Sequence, residues 1–229
     1  MPKVTFAFLR HAKVPSHEGD MPITPDSNAD IEAAIPRLQN LATQNSKFVF
    51  LGTQTHRSRQ TAEALRAAID PTSPEVKPAW GLRNPDVYLA GSRVELGSKA
   101  EFFASQCEYF AMTPGAVMAQ GFYEGFLTAP DRIEYWLFSE NAPGENAAAV
   151  AKRVLQFAQS FLAVPRDHDL VVAAVTHSPV MRAILWKGLG RPDTGEPDWV
   201  EEIVLEVTTE GMAYRFRDHI GHLPLLPMA

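Results

Sequence analysis

The chain has 229 residues, 45% of them hydrophobic and 21% charged, a balance typical of a folded domain and not of a disordered chain. A formal charge of −6 excludes a broad basic surface, so neither nucleic acid nor an anionic membrane is a predicted partner. The single cysteine, Cys107, excludes an internal disulfide, and a reducing cytoplasm is the predicted location. No segment is long and apolar enough to span a bilayer.

The N-terminal part of the chain predicts two strand–helix units. The first apolar run is partly β-branched and ends at the polar pair Arg10 and His11, which is typical of a buried strand that leads into a loop. Asp30 is placed to cap the first helix. The predicted elements are strands at residues 4–9 and 48–51, and helices at residues 30–45 and from about residue 57.

The C-terminal part predicts a further helix, the clearest buried strand and a closing hairpin. Pro179 suits the first turn of the helix that follows the strand, because a helix needs no N–H group there. Two alternating runs flank the turn at residues 210–211. The predicted elements are a helix at residues 147–162, a strand at 170–175, a helix at 180–189, and hairpin strands at 202–208 and 212–216.

Between these two parts, residues 98–141 are rich in aromatic side chains. This segment predicts an inserted helical subdomain or lid. Two interpretations of its aromatic residues stay open: they pack an accessory pair of helices, or they lie over a binding site.

Strands that alternate with helices predict one α/β domain over residues 1–229. The expected architecture is a three-layer α/β/α sandwich around a mostly parallel central sheet. Ligands of such sheets bind beyond the carboxyl ends of the strands. Arg10, His11, Thr53 and His177 all follow predicted strands at these ends.

These residue types suit phosphoryl chemistry. The planar fork of Arg10 matches phosphate oxygens, and the adjacent His11 offers an imidazole that can attack phosphorus. Arg57 lies near a predicted helix N-terminus, whose free N–H groups favour an anion, and His177 precedes a proline-started helix. The four side chains are therefore predicted to converge on one phosphate group.

Four short motifs resemble the histidine phosphatase superfamily, also called phosphoglycerate mutase-like or histidine acid phosphatase-like. Residues 8–12, Phe-Leu-Arg-His-Ala, resemble its Leu-Arg-His-Gly signature, with alanine in place of glycine. Residues 53–62 resemble its Ser-x-x-x-Arg-x-x-Gln-Thr-Ala motif. Residues 143–146 are similar to its Gly-Glu-Ser element, and residues 175–178 to its Thr-His-Gly or Thr-His-Ser.

The resemblance implies a phosphoglycerate mutase-like fold and a phosphatase that needs no metal and no cofactor. It implies that His11 becomes a transient phosphohistidine, while Arg10, Arg57 and His177 bind the phosphoryl oxygens. The physics is consistent with this, because two nearby guanidinium charges disfavour a protonated His11. The expected partner is a small-molecule or protein phosphomonoester.

The proton donor to the leaving group departs from the family pattern. The family usually carries a glutamate two residues after a leucine behind the second helix, and here Asn84 stands at that place. Asparagine does not donate a proton in this role. Asp86 is the first candidate for the general acid, and Glu95 is the second.

The loop after His11 also differs from the family pattern. Family members often have a Leu-Thr-x-x-Gly turn there, and residues 23–27 keep its threonine but lack its glycine. Lys13 and His17 lie in this loop. They are expected to be solvated, with contact to substrate as the alternative.

Three functions compete. The leading hypothesis is hydrolysis of a phosphomonoester through His11. A phosphoglycerate mutase-type transfer would use the same intermediate behind a lid that excludes water. A phosphoryl-binding or interaction module would keep the pocket without the chemistry. For a homodimer, the hairpin edge and the apolar tail at residues 223–227 are the two candidate contacts.

Overall fold

The computed structural model describes residues 2–107 and 109–227. A seven-stranded sheet forms its centre, and a separate two-stranded hairpin lies beside it. The strands are β1 (Val4–Arg10), β2 (Ser46–Gly52), β3 (Lys77–Pro78), β4 (Val87–Leu89), β5 (Ser92–Val94), β6 (Asp169–Thr176), β7 (Glu202–Val207), β8 (Met212–Phe216) and β9 (His219–Leu223).

The large sheet runs β3-β2-β6-β1-β7-β8-β9. The pairs β3–β2, β2–β6 and β6–β1 are parallel, whereas β7, β8 and β9 add an antiparallel edge. Because β6 lies between β2 and β1, the carboxyl ends of three parallel strands meet at one edge. In the register of β1 and β6, Arg10 lies opposite Thr176.

Helices cover both faces of this sheet. They are α1 (Asn28–Gln39), α2 (His56–Ile69), α3 (Ala100–Ser105), α4 (Pro114–Met118), α5 (Gly121–Thr128), α6 (Arg132–Phe138), α7 (Ala147–Ser160) and α8 (Ser178–Ala183), the last continuing as a π-helix over Ile184–Gly188.

The continuous apolar sequence of β1 follows from this layering. Phe6 and Phe8 pack into the core on the face that α7 and α8 cover, while Ala7 and Leu9 pack into the core beneath α1 and α2. Both faces of a strand must then be apolar, which is typical of the buried parallel strands of α/β proteins. The predicted three-layer α/β/α architecture is confirmed, and its central sheet is mixed.

The strands and helices follow the predicted order with shifted ends. Helix α1 ends at Gln39 and not at residue 45, because residues 41 and 42 turn back through hydrogen bonds to Leu38 and Gln39. Asp30 lies inside its first turn and not at its cap. The β4–β5 hairpin and β9 were not predicted, since each is short and gains its partners from distant contacts.

Four short helices, α3 to α6, lie within the segment predicted as a helical insertion. Several of its aromatic side chains are buried, among them Phe103, Tyr123, Phe126 and Trp136. Most of them therefore pack a local core, although Phe126 also reaches the cleft described below. Among the described residues, none of the helices has the length and apolar character needed to cross a membrane.

Candidate active site

The ends of β1 and β6 bring two histidines together. His11 directly follows β1, and its backbone N–H donates to the carbonyl oxygen of Thr176 over 3.0 Å. His177 follows β6 and stands at the N-cap position of α8. As a result, the centroids of the two imidazole rings lie 5.3 Å apart in an edge-to-face arrangement.

Helix α2 supplies the second arginine of the site. Arg57 lies in the first turn of this helix and is buried, and its Nη1 donates to the carbonyl oxygen of Gly19 over 3.2 Å. In the loop before the helix, Thr53 Oγ1 lies 3.0 Å from Nε2 of His177 and 2.7 Å from Oγ of Ser58. This hydroxyl pair ties the end of β2 to the end of β6.

A cleft of about 590 Å³ opens above these strand ends. Arg10, His11, Arg57 and His177 line it together, so the structure brings the four predicted phosphate-site residues to one cavity. The other residues that line it come from the loop after β1, the segments before β4 and before α3, helix α5, the loop into α6 and the start of α6, the start of α8, and the loop before β7. They are His17, Asn84, Leu96, Gly97, Ser98, Phe126, Pro130, Asp131, Arg132, Ile133, Ser178, Pro179 and Glu196.

The hydrogen bonding of His11 suits a nucleophile. Its Nδ1 lies 2.8 Å from the carbonyl oxygen of Ala12, which only accepts, so this nitrogen carries the proton. In the neutral ring Nε2 then keeps a free lone pair. Burial lowers the pKa of His11 well below its ordinary value, and the charges of Arg57 and Arg10 lower it further. Burial is thus the largest cause of the lowered pKa of His11, and the charges of the two arginines, which the sequence analysis gave as the cause, have smaller effects.

The pKa of His177 is also well below the ordinary value, mainly through burial and then through the charge of Arg57. Its Nδ1 is buried and has no hydrogen-bond partner among the described residues. The same holds for Nε of Arg10 and Nε of Arg57. A buried polar atom without a partner is costly, and these three nitrogens all belong to residues that line the cleft.

Arg10 is held from several sides. Its Nη2 lies 3.1 Å from Oε2 of Glu196, and its Nη1 donates to the carbonyl oxygen of Pro197. The guanidinium carbon lies 3.7 Å from the ring centroid of Trp199, a cation–π contact. Burial lowers the pKa of Arg10, opposed by the charge of Glu196. An arginine remains protonated despite such a shift, so the cleft keeps a fixed cation here.

The structure corrects the expectation for the general acid. Asp86 does not line the cleft, and its carboxylate is engaged by Arg83 and Arg93 on opposite oxygens. Hydrogen bonds and charges from these arginines lower the pKa of Asp86, which overcomes the opposite effect of burial. An ion-paired carboxylate away from the cleft is not placed to protonate a leaving group.

Glu95, the second candidate, does not line the cleft either. Burial lowers the pKa of Arg57, and the charge of Glu95 opposes this shift. Asn84 does line the cleft, and its buried Oδ1 has no hydrogen-bond partner among the residues that the structure describes. Asn84, at the position where the family pattern has glutamate, therefore faces the cavity, but its side chain is an amide and not a carboxylic acid.

His17 is exposed, as expected, and it also borders the cleft. Its ring stacks on Trp199 at 5.8 Å, and it lies 6.1 Å from the ring of His11. Its neighbour Lys13 follows the expectation, being exposed and paired with Asp26 over 2.7 Å.

The sequence analysis did not identify several residues of the site. Glu196 and Arg132 line the cleft, and Trp199 lies against Arg10. They belong to segments far along the chain, and no local motif marked them. In the part of the chain that the structure describes, no group of three or more His, Cys, Asp or Glu side chains is arranged to hold a metal ion.

Comparison with known proteins gives a partial match to one family model and a shared fold. Residues 120–200 match the model of the histidine phosphatase superfamily (branch 1). No curated protein matches the sequence. The match includes His177 but not the motifs around His11 and Arg57, so these stand on the sequence resemblance and on the geometry above.

Solved structures of similar fold include phosphatases and a mutase. A mycobacterial glucosyl-3-phosphoglycerate phosphatase in complex with inorganic phosphate is 16% identical, with a TM-score of 0.53 over 90% of this chain and 89% of that one. A mutant phosphoserine phosphatase from Entamoeba histolytica, in complex with phosphoserine, is 13% identical, with a TM-score of 0.53 over 97% and 95%. The phosphoglycerate mutase from Bacillus anthracis is 12% identical, with a TM-score of 0.56 over 90% and 89%.

These likenesses are too distant in sequence to carry a substrate, but they agree with the family match and with the strand-end cleft. Residues 120–200 thus carry the match to the histidine phosphatase superfamily model, and the solved structures show that the chain has the phosphoglycerate mutase-like fold.

Proposed function

We propose that this protein is a phosphatase that hydrolyses a phosphomonoester through a phosphohistidine on His11. The observation that carries the proposal is the state of this side chain: Nδ1 is committed to the carbonyl oxygen of Ala12, and burial lowers the pKa of His11. At neutral pH Nε2 is then unprotonated and available for attack. The match of residues 120–200 to the histidine phosphatase superfamily model and the phosphatases of similar fold support the same reaction.

In the first step, Nε2 of His11 attacks phosphorus and the P–O bond to the alcohol breaks. Arg10, Arg57 and His177 surround the oxygens on which charge accumulates. The guanidinium groups of the two arginines and the imidazole of His177 are the proposed hydrogen-bond donors to these oxygens. Fixed donors in a buried site lower the barrier because they need no reorganisation when the charge develops.

We assign the proton of the leaving alcohol to His17. Of the other titratable groups on the cleft wall, Asp131 lies 2.9 Å from Arg182, and Glu196 is paired with both Arg10 and Arg182. The ring nitrogens of His17 have no hydrogen-bond partner among the described residues.

Although His17 is exposed, partial desolvation by the cleft wall and then the charges of Arg10 and Arg57 lower its pKa in the free protein. A bound phosphate dianion offsets these two charges and favours the protonated ring. His17 then gives its proton to the leaving oxygen.

In the second step, water attacks phosphorus, the P–N bond to His11 breaks, and inorganic phosphate is released. The neutral His17 accepts a proton from this water, which returns it to the protonated form. One residue serves as acid and then as base, as the reversal of roles between the two half-reactions requires.

The test is phosphate release from 4-nitrophenyl phosphate by the unaltered protein, His11→Ala and the control His222→Ala, in which an exposed histidine of β9 is removed. We expect turnover that His11→Ala abolishes and His222→Ala leaves unchanged. Rapid quenching at alkaline pH, where phosphohistidine persists, should trap ³²P-phosphate on the chain only when His11 is present.

Two results would redirect the proposal. Isomerisation of a phosphoglycerate without net phosphate release would identify a mutase. Binding of inorganic phosphate to the cleft, with neither turnover nor a trapped phosphoenzyme, would identify a binding module.

A further inference from the structure

The lining of the cleft has two chemically different parts. One is the cationic floor of Arg10, Arg57 and the two histidines at the strand ends. The other is built by the segment before α3 and by helices α5 and α6, which present the side chains of Leu96, Phe126 and Ile133. At about 590 Å³ the cavity is of the size that holds a whole small molecule, so it has room for the alcohol part of an ester beyond its phosphate.

One cation among these apolar residues is unpaired. Arg132, the first residue of α6, lines the cleft and is half-buried. Within residues 2–107 and 109–227, its guanidinium has no hydrogen bond and no ion pair. Its positive charge contributes to lowering the pKa of His17, so it acts on the same cavity as the phosphate site.

The nearby carboxylates do not pair with Arg132, because each of them is bound to other groups. Asp131 caps α6 by accepting from the backbone N–H of Glu134 over 2.9 Å, and it also lies 2.9 Å from Nη1 of Arg182. Glu196 lies between Arg10 and Arg182. The chain thus satisfies its fully buried arginine, Arg182, with three carboxylates and leaves Arg132 free.

We propose that Arg132 is a second anion subsite, and that the substrate is a phosphomonoester with an apolar spacer and a second anionic group, a carboxylate or a phosphate. The phosphate to be cleaved lies on the floor, the spacer lies against Leu96, Phe126 and Ile133, and the far anion pairs with Arg132. A guanidinium fork next to apolar side chains binds such a group with charge-assisted hydrogen bonds.

This inference rests on the proposed phosphatase activity for the identity of the ligand, but its test does not depend on turnover. Phosphonates carry a P–C bond that the reaction does not cleave. We would measure by calorimetry the Kd of phenylphosphonate and of 4-carboxyphenylphosphonate, for the unaltered protein, Arg132→Met and the control Arg215→Met, which removes an exposed arginine of β8.

We expect the carboxylate to tighten binding about tenfold, the value of one charge-assisted hydrogen bond, and Arg132→Met to remove that gain. Arg132→Met should leave the Kd of phenylphosphonate within about twofold, and Arg215→Met should change neither ligand. This double comparison cancels any effect of the substituent on the phosphonate itself. A third ligand, 1,4-phenylenebisphosphonate, shows whether the far anion is better matched by carboxylate or by phosphate.

No gain from either second anion, or a gain that survives Arg132→Met, would overturn the subsite. Hydrolysis of the corresponding phosphate esters, phenyl phosphate and its carboxylated analogue, is measured in a separate experiment. Hydrolysis of phenyl phosphate with no preference for its carboxylated analogue refutes the subsite alone. A tenfold gain in phosphonate affinity without hydrolysis of any ester refutes the phosphatase alone.

Discussion

Glu196 Oε2 lies 3.1 Å from Nη2 of Arg10, so the cleft holds a carboxylate of its own beside the guanidinium proposed to bind phosphate. Nearly half of this carboxylate side chain is exposed, whereas the arginine is almost fully buried. Phosphate that enters the cleft must therefore compete with an internal anion for one side of Arg10.

We expect Glu196→Gln to bind inorganic phosphate about two- to fivefold more tightly, the range that corresponds to one partly exposed ion pair. The amide keeps an oxygen that can accept from Arg10 but removes the repulsion of the dianion. Calorimetric titration measures the change, with Glu210→Gln as the control on an exposed turn. Weaker binding in Glu196→Gln would show instead that the carboxylate is needed to hold Arg10 in place.

The two histidines assigned to the chemistry predict an acidic pH optimum. Burial and the charges of Arg57 and Arg10 hold the pKa of His11 well below its ordinary value. The pKa of the exposed His17 is lowered by partial desolvation at the cleft wall and by the same two charges. His11 must be neutral to attack and His17 protonated to donate. After correction for substrate ionisation, kcat/KM for an alkyl phosphate should peak below about pH 6.5, the unperturbed pKa of histidine. A plateau at pH 7 to 8 contradicts this assignment.

His17→Gln separates an acid from a merely structural residue. Without its proton donor, the protein should lose about a hundredfold in kcat on an alkyl phosphate, within the range for general acid catalysis. It should lose far less on 4-nitrophenyl phosphate, whose leaving group departs as a stable anion. The alkaline limb of the pH profile should also disappear. Equal losses on both esters would show that His17 only shapes the cleft.

Asp86→Asn should affect stability and not chemistry. The carboxylate joins Arg83 to Arg93 of strand β5, so its loss should lower the free energy of unfolding by about 1 kcal/mol. Urea denaturation at pH 7 measures this, and kcat on an alkyl phosphate should stay within about twofold. A selective loss of kcat on the alkyl ester, with 4-nitrophenyl phosphate unaffected, would restore Asp86 as the acid.

Much of the phosphate site could be predicted because its residues follow local patterns. Arg10, His11 and His177 each stand at the carboxyl end of an apolar run, and a parallel sheet brings such ends to one edge whatever the loops do. Arg57 follows the same logic through the first turn of α2. The alternation of strands and helices could also be predicted from local patterns, as could the proline-started helix after β6.

The acid and the substrate-facing wall depended on contacts that no local pattern encodes. Asp86 is drawn into the β4–β5 hairpin by Arg83 and Arg93, while His17 is turned into the cleft beside Trp199, a residue far away in sequence.

The amino-acid sequence by itself determined the layered α/β fold and the cationic strand-end site, since strand ends and helix starts are set by local hydrophobicity and backbone geometry. Only the tertiary structure decided which charged side chains form ion pairs within the protein and which remain available to a ligand. Arg182 and Arg132 illustrate the reason. Both are arginines near the same cleft, and the pairing of distant carboxylates with one of them leaves the other unpaired.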